Sequence, residues 1–131
     1  MRIYNYRMNR TTYLINFVAI IIFIVIILQF SSRPGPTEFF MSLLVVPRLH
    51  DIGRSGWWYL GLIALEIAAV IAGGAVGGAE GIRLFGGIFA IFALIVLIIL
   101  GVMKGENGSN RWGPIPEEGY SWKMPDNAKA R

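Results

Sequence analysis

TEFFMSLLVVPRL, residues 37–49, decides how this chain folds, because it is too apolar for a surface loop and too short for an ordinary membrane span. As a helix its roughly 13 residues rise about 20 Å, against a hydrocarbon core of about 30 Å. Pro47 sits near its end, where a proline lacks the backbone N–H of a regular turn and kinks the helix. The segment therefore either crosses a thinned bilayer or turns back as a re-entrant piece.

Its surroundings are longer and more apolar. Thr11 to Ser32 contains no charged residue, nor does Leu84 to Met103, and Trp57 to Ala79 is interrupted only by Glu66. Each run approaches or exceeds the ~20 residues a transmembrane helix needs. Over the whole chain of 131 residues, 55% are hydrophobic and 15% charged, with a mean hydropathy of +0.58. A soluble domain carries about 25% charge, so the expected class is an all-α, polytopic membrane helical bundle. The first run, Tyr13 to Phe30, exceeds the core of a signal peptide and no A-x-A-like site follows it; it is expected to be a retained helix. Thr11 or Thr12 can cap that helix, and Ser31 to Pro36 breaks it. A third helix from Trp57 to about Ala79 and a fourth from Ile82 or Leu84 to Met103 flank a loop carrying Glu80, Gly81 and Arg83.

Charge decides between the two fates of residues 37–49. If the segment crosses, three basic residues of the N-terminal arm, two of the Arg48–Arg54 loop and five of the tail from Lys104 share one side, leaving Arg33 and Arg83 opposite. If it turns back, arm and tail separate. The positive-inside rule favours crossing. Four membrane segments with both termini cytoplasmic are therefore expected, with residues 1–116 as the membrane domain and 117–131 as a polar, flexible tail. The net charge of +4 reflects this bracketing of apolar runs, and nucleic acid is not an expected partner. No cysteine is present and His50 is the single histidine, which excludes thiolate metal sites and two-imidazole sites within one chain. Neither metal nor other cofactor is expected.

Small residues are ordered along the third helix: Gly73 with Gly77 and Gly74 with Gly78 form GxxxG pairs, answered by Gly86 and Gly87 on the fourth. Such residues let backbones approach where lipid gives no hydrophobic drive. The expected use is intramolecular packing, with self-association through the same face as the alternative.

Polar chemistry gathers in Arg48-Leu-His50-Asp51-Ile-Gly-Arg54-Ser-Gly-Trp57-Trp58. On a helical turn Asp51 lies three residues from both Arg48 and Arg54 and can pair with each. That fork would leave further guanidinium donors aimed outward at phosphate-like groups, with the tryptophans at the interface. An interfacial loop anchored by tryptophans and lipid phosphates is the plainer alternative. The tail repeats the basic-aromatic theme in Asn110, Arg111 and Trp112, after turn formers. Topology brings both elements to one face. They are expected to pack as one cap, with Asn110 or the tail backbone satisfying Arg48, His50 or Asp51.

RLHDIGRSGWW, followed after a hydrophobic hairpin by GENGSNRWGPIP, resembles the bacterial inner-membrane family known as domain of unknown function 805. The N-terminal Arg7, Arg10 and Tyr13 look like that family's R-x-x-R-x-x-aromatic element. Pro47 stands where the pattern has a first arginine, Tyr6 where a glycine is common, and Ile115 where an acidic residue is frequent. The resemblance implies a small multi-pass protein of the bacterial inner membrane and implies no activity.

Glu66 lies about nine residues, or roughly 14 Å, into the third helix, where an ionisable group is a functional candidate by default. It would be protonated and bonded to backbone, meet a partner chain, or relay protons. No nucleophile with its base, zinc-binding pair or phosphate loop occurs. The expected function is thus a non-enzymatic scaffold or accessory subunit whose cap of Arg48, His50, Asp51, Arg54, Trp57, Trp58, Asn110, Arg111 and Trp112 binds anionic lipid headgroups or a partner protein. The alternative is an oligomeric ion- or proton-coupled permease or channel subunit using Glu66.

Overall fold

The structure is a computed structural model that describes residues 6–30 and 37–121. It is all-helical, with α1 at Arg10–Phe30, α2 at Thr37–Asp51 and α3 at Trp57–Val102. The expected break at Ser31–Pro36, with Arg33, and the tail after Ser121 lie outside the described residues. Two compact units emerge: Met1–Gly56 with Met103–Arg131, and Trp57–Val102.

In the first unit α1 is capped by Asn9, whose Oδ1 accepts the Thr12 amide at 2.8 Å. Neither Thr11 nor Thr12 takes the cap role expected of it. Asn9 stands one residue before the helix, from where its side chain reaches the third helical amide. α2 runs antiparallel to α1: Phe40 meets Phe23 edge-on at 6.3 Å, and eight residues on the Arg48 guanidinium lies 6.0 Å from the Tyr13 ring. Tyr13, Phe17, Leu44, Val45 and Leu49 are buried along this seam.

Pro47 lies inside α2 and cannot donate to the Leu43 carbonyl one turn back. The Tyr6 hydroxyl donates to that carbonyl instead, at 3.3 Å. Burial pushes the Tyr6 phenol above its ordinary range, so its proton stays in place at neutral pH. The proline and the tyrosine thus complete each other. Tyr6→Phe is expected to cost about 1 kcal/mol and clearly less in a Pro47→Ala background, where the restored amide serves Leu43. Additive losses in that double-mutant cycle, measured by reversible unfolding, would contradict the pairing.

α2 ends by a stop its sequence specifies. Gly53 adopts a φ of 73°, its amide donates to the His50 carbonyl at 3.2 Å, and the Arg54 amide donates to Leu49 at 2.8 Å. These are the two bonds of a Schellman motif, in which glycine accepts a left-handed backbone at little cost.

The second unit is the 46-residue α3, broken at Gly77 (φ −144°, ψ 19°) and Gly78 (φ 56°, ψ −134°). The Gly81 carbonyl oxygen lies 2.5 Å from where a Cβ on Gly73 would stand. Residues eight apart in a straight helix are separated by about 12 Å along the axis, so the chain folds back and α3 is a hairpin of two arms. The turn falls at Gly77–Gly78, not at the expected Glu80–Arg83 loop, which is helical. Only glycine tolerates the Gly78 backbone without strain. The packing glycines change accordingly: Gly73 meets Gly81, Gly74 touches Ile82, and Gly77 and Gly78 form the bend. Gly86 and Gly87 do not pack as expected, since a Cβ on either would meet nothing within 4 Å.

Among the described residues one helix, α3, is long and apolar enough to cross a membrane by length and composition. Large apolar side chains are open along α1 and α3, with Val18 55%, Ile22 54%, Ile71 66% and Ile91 64% exposed. Apolar exposure on that scale suits lipid rather than water.

Candidate functional site

The first unit encloses a cluster of charge. Arg7, Arg48, His50 and Asp51 are all buried, with Arg48 at 0% exposure. Asp51 lies in the last turn of α2 and accepts two guanidinium groups: Arg7 Nε donates to its Oδ1 at 3.1 Å, and Arg48 Nη1 donates to Oδ2. Arg48 is one helical turn from Asp51, the pairing that the spacing predicts. The second guanidinium is not the expected Arg54 but Arg7, 44 residues away. Gly53 ends the helix before Arg54 can complete another turn, and Arg54 is exposed.

The outer edges of both guanidiniums are engaged as well. Arg7 Nη2 donates to the Glu106 carbonyl at 2.8 Å and Nη1 to that of Gly108 at 2.6 Å, with Gly113 at 3.5 Å. Arg48 donates to the carbonyls of Met8, at 3.2 Å, and Met103. Among the described residues no buried side-chain nitrogen or oxygen lacks a partner. The Arg48 donors that the sequence-based expectation aims outward at phosphate meet carbonyls of the arm and tail here. A buried ion pair needs such extra bonds to offset its desolvation.

Tail and loop meet at further points. Asn110 Nδ2 donates to the His50 carbonyl at 2.9 Å and to Glu106 Oε2 at 2.9 Å. Trp112 stacks on the His50 ring with centroids 4.5 Å apart, and the exposed Arg111 guanidinium lies 4.0 Å from the Trp112 ring. His50 Nδ1 is 3.3 Å from the Tyr6 carbonyl, a partner that only accepts and so pairs with a proton on Nδ1. The Glu106 amide donates to the Asp51 carbonyl at 2.8 Å. Gly105 has no room for a side chain, since a Cβ there would overlap the Asp51 carboxylate.

Beyond the motif, Asn9 Nδ2 donates to the carbonyls of Glu117 at 2.5 Å and Gly119 at 2.8 Å, and the Ser121 amide donates to Thr12 Oγ1 at 3.0 Å. Residues 117–121, assigned by the sequence to a free tail, are thus held against the start of α1.

The remaining candidates lie in the second unit. Trp57 and Trp58 open α3 and are 76% and 65% exposed, while Glu66 is half-buried on its first arm. Arg7, Tyr6 and Glu106 are the members of the cluster that spacing did not reveal. Of these only Arg7 carried a signal, as the first arginine of the R-x-x-R-x-x-aromatic element.

In this arrangement the carboxylate is doubly ion-paired and the imidazole is stacked and bonded. No group of three or more metal-binding side chains occurs among the described residues. The model of a family described as "Protein of unknown function (DUF805)" matches residues 39–114. No curated protein and no solved structure matches the chain.

Proposed function

The chain belongs to the DUF805 family, and from that premise we propose that it is a non-enzymatic scaffold or accessory subunit of the bacterial inner membrane, gripping anionic lipid headgroups through its cytoplasmic cap. α1, α2 and the two arms of α3 are four membrane segments in this reading, with both termini cytoplasmic. Support comes from the antiparallel pairing of α1 with α2, from the α3 hairpin, and from a basic-residue count that favours this sidedness. The short α2 is tolerated because its polar end, Arg48 to Asp51, is buried in protein instead of lipid.

One observation carries the non-enzymatic assignment: Asp51 binds Arg7 and Arg48 while both arginines bind tail carbonyls. The cluster is a clasp that joins head, loop and tail. Contact with lipid falls to the exposed cations Arg10, Arg54, Lys104 and Arg111. Phosphodiester groups suit them, since each exposed cation near an anionic leaflet contributes about 1 kcal/mol.

Lipid copurified in nanodiscs of mixed phosphatidylcholine and phosphatidylglycerol tests this. The wild-type protein is expected to enrich phosphatidylglycerol over the bulk ratio, and the Arg54→Gln/Lys104→Gln/Arg111→Gln variant to lose most of that enrichment. Equal enrichment by both proteins would remove the headgroup role.

A further inference from the structure

The tail motif holds two asparagines in different states. Asn110 is engaged: its Nδ2 donates to the His50 carbonyl and to Glu106, and its Oδ1 accepts the Trp112 amide at 3.0 Å. Asn107 is exposed, and neither its side chain nor the Gly108 amide makes a hydrogen bond to another described residue. It is also the one asparagine of the chain that a glycine follows. Gly108 has a φ of 107°, and a Cβ placed on it would meet nothing within 4 Å. The turn is open at this residue, and glycine puts no side chain beside its own nitrogen.

An asparagine in such a setting is thermolabile because the next amide can attack it. The Gly108 nitrogen gives its proton to solvent and bonds to Cγ of Asn107, the Cγ–Nδ2 bond breaks, and ammonia leaves with a proton from solvent. The resulting five-membered imide adds one water at either carbonyl and opens to an aspartyl or an isoaspartyl residue. Nothing is oxidised or reduced, and water is the only co-reactant. The product carries a carboxylate where a neutral amide stood.

Arg7 grips the chain on both sides of the reacting residue. Its Nη2 donates to the Glu106 carbonyl at 2.8 Å and its Nη1 to the Gly108 carbonyl at 2.6 Å, while Asp51 fixes the other edge of the same planar group. Ring closure has to rotate the Gly108 amide toward the Asn107 side chain, and two flanking carbonyls held by one rigid fork resist that rotation. We propose that Asn107–Gly108 is a self-modifying site, converting to aspartyl and isoaspartyl forms in water, and that the Arg7 grip is the brake on its rate.

Peptide mass mapping of the full chain in nanodiscs, followed over time in mildly alkaline heavy-oxygen water, tests the proposal. The wild-type protein is expected to convert slowly at position 107, gaining heavy oxygen and an isoaspartyl fraction, while Asn110 stays intact. Arg7→Lys keeps a positive charge for Asp51 but lacks the fork that spans two carbonyls. It should convert about tenfold faster, the gain in open state that goes with losing a hydrogen bond to a charged group. Asn107→Gln, whose ring would need one more atom, should show no conversion there. Gly81→Ala, which strains α3, controls for general loss of stability and should convert at the wild-type rate. Absence of conversion in both the wild type and Arg7→Lys, equal rates in the two, or equal acceleration by Gly81→Ala overturns the proposal.

Discussion

Asp51→Asn is expected to destabilise the protein by about 3–5 kcal/mol, the usual result of removing one member of a buried ion cluster and leaving charge unpaired. Asparagine preserves the shape and still offers an oxygen, so the loss isolates the charge. Without the carboxylate, Arg7 and Arg48 are two buried cations that have lost the negative charge they share. The damage should spread to the parts they bind. Exchange protection in residues 6–9 and 103–114 should fall together, along with the protease resistance of the tail, because each guanidinium holds two chain segments at once. Arg54→Gln is the matched control: Arg54 is exposed, so its loss should stay within about 0.5 kcal/mol. Reversible unfolding in micelles reads both. An Asp51→Asn protein as stable as the wild type, with its tail equally protected, would deny the clasp its role.

The second large effect belongs to the α3 hairpin. A Cβ on Gly81 would overlap the Gly73 carbonyl, which is backbone and cannot rotate away. Gly81→Ala should therefore force the arms apart at about 1–3 kcal/mol, in the range of overpacked cores. Gly86→Ala offers the contrast, since its Cβ meets nothing within 4 Å. It should be neutral or stabilising by up to about 1 kcal/mol through helix propensity. The ordering of the two, not either value alone, identifies the contact.

These two cases also mark what could be read in advance. The bounds of α2, Thr37–Asp51, follow from local signals: prolines and glycine before it, an apolar run within it, and a glycine stop after it. Arg48 with Asp51 was readable because both lie on one helical turn. Arg7 with Asp51 was not, because 44 residues separate them and no periodicity spans that distance. The same spacing rule that found Arg48 also suggested Arg54, and failed where Gly53 ends the helix. In α3 the four glycines from Gly73 to Gly78 read equally well as two GxxxG pairs or as a bend. Only the backbone decides, through the positive φ at Gly78. The Tyr6–Leu43 bond was hidden for a related reason: a proline announces the acceptor it orphans, but not the distant donor that replaces it.

The central claim is that head, loop and tail meet on one side of the membrane, since the clasp cannot close otherwise. The chain contains no cysteine, so single cysteines placed at Thr11, Arg54, Ser109 and Glu80, all exposed, can each be probed alone with a membrane-impermeant maleimide. In intact cells the first three should stay unlabelled until the membrane is opened, while Glu80→Cys, beside the hairpin turn, reacts at once. Labelling of Thr11→Cys or Ser109→Cys from outside, with Arg54→Cys protected, would contradict the account.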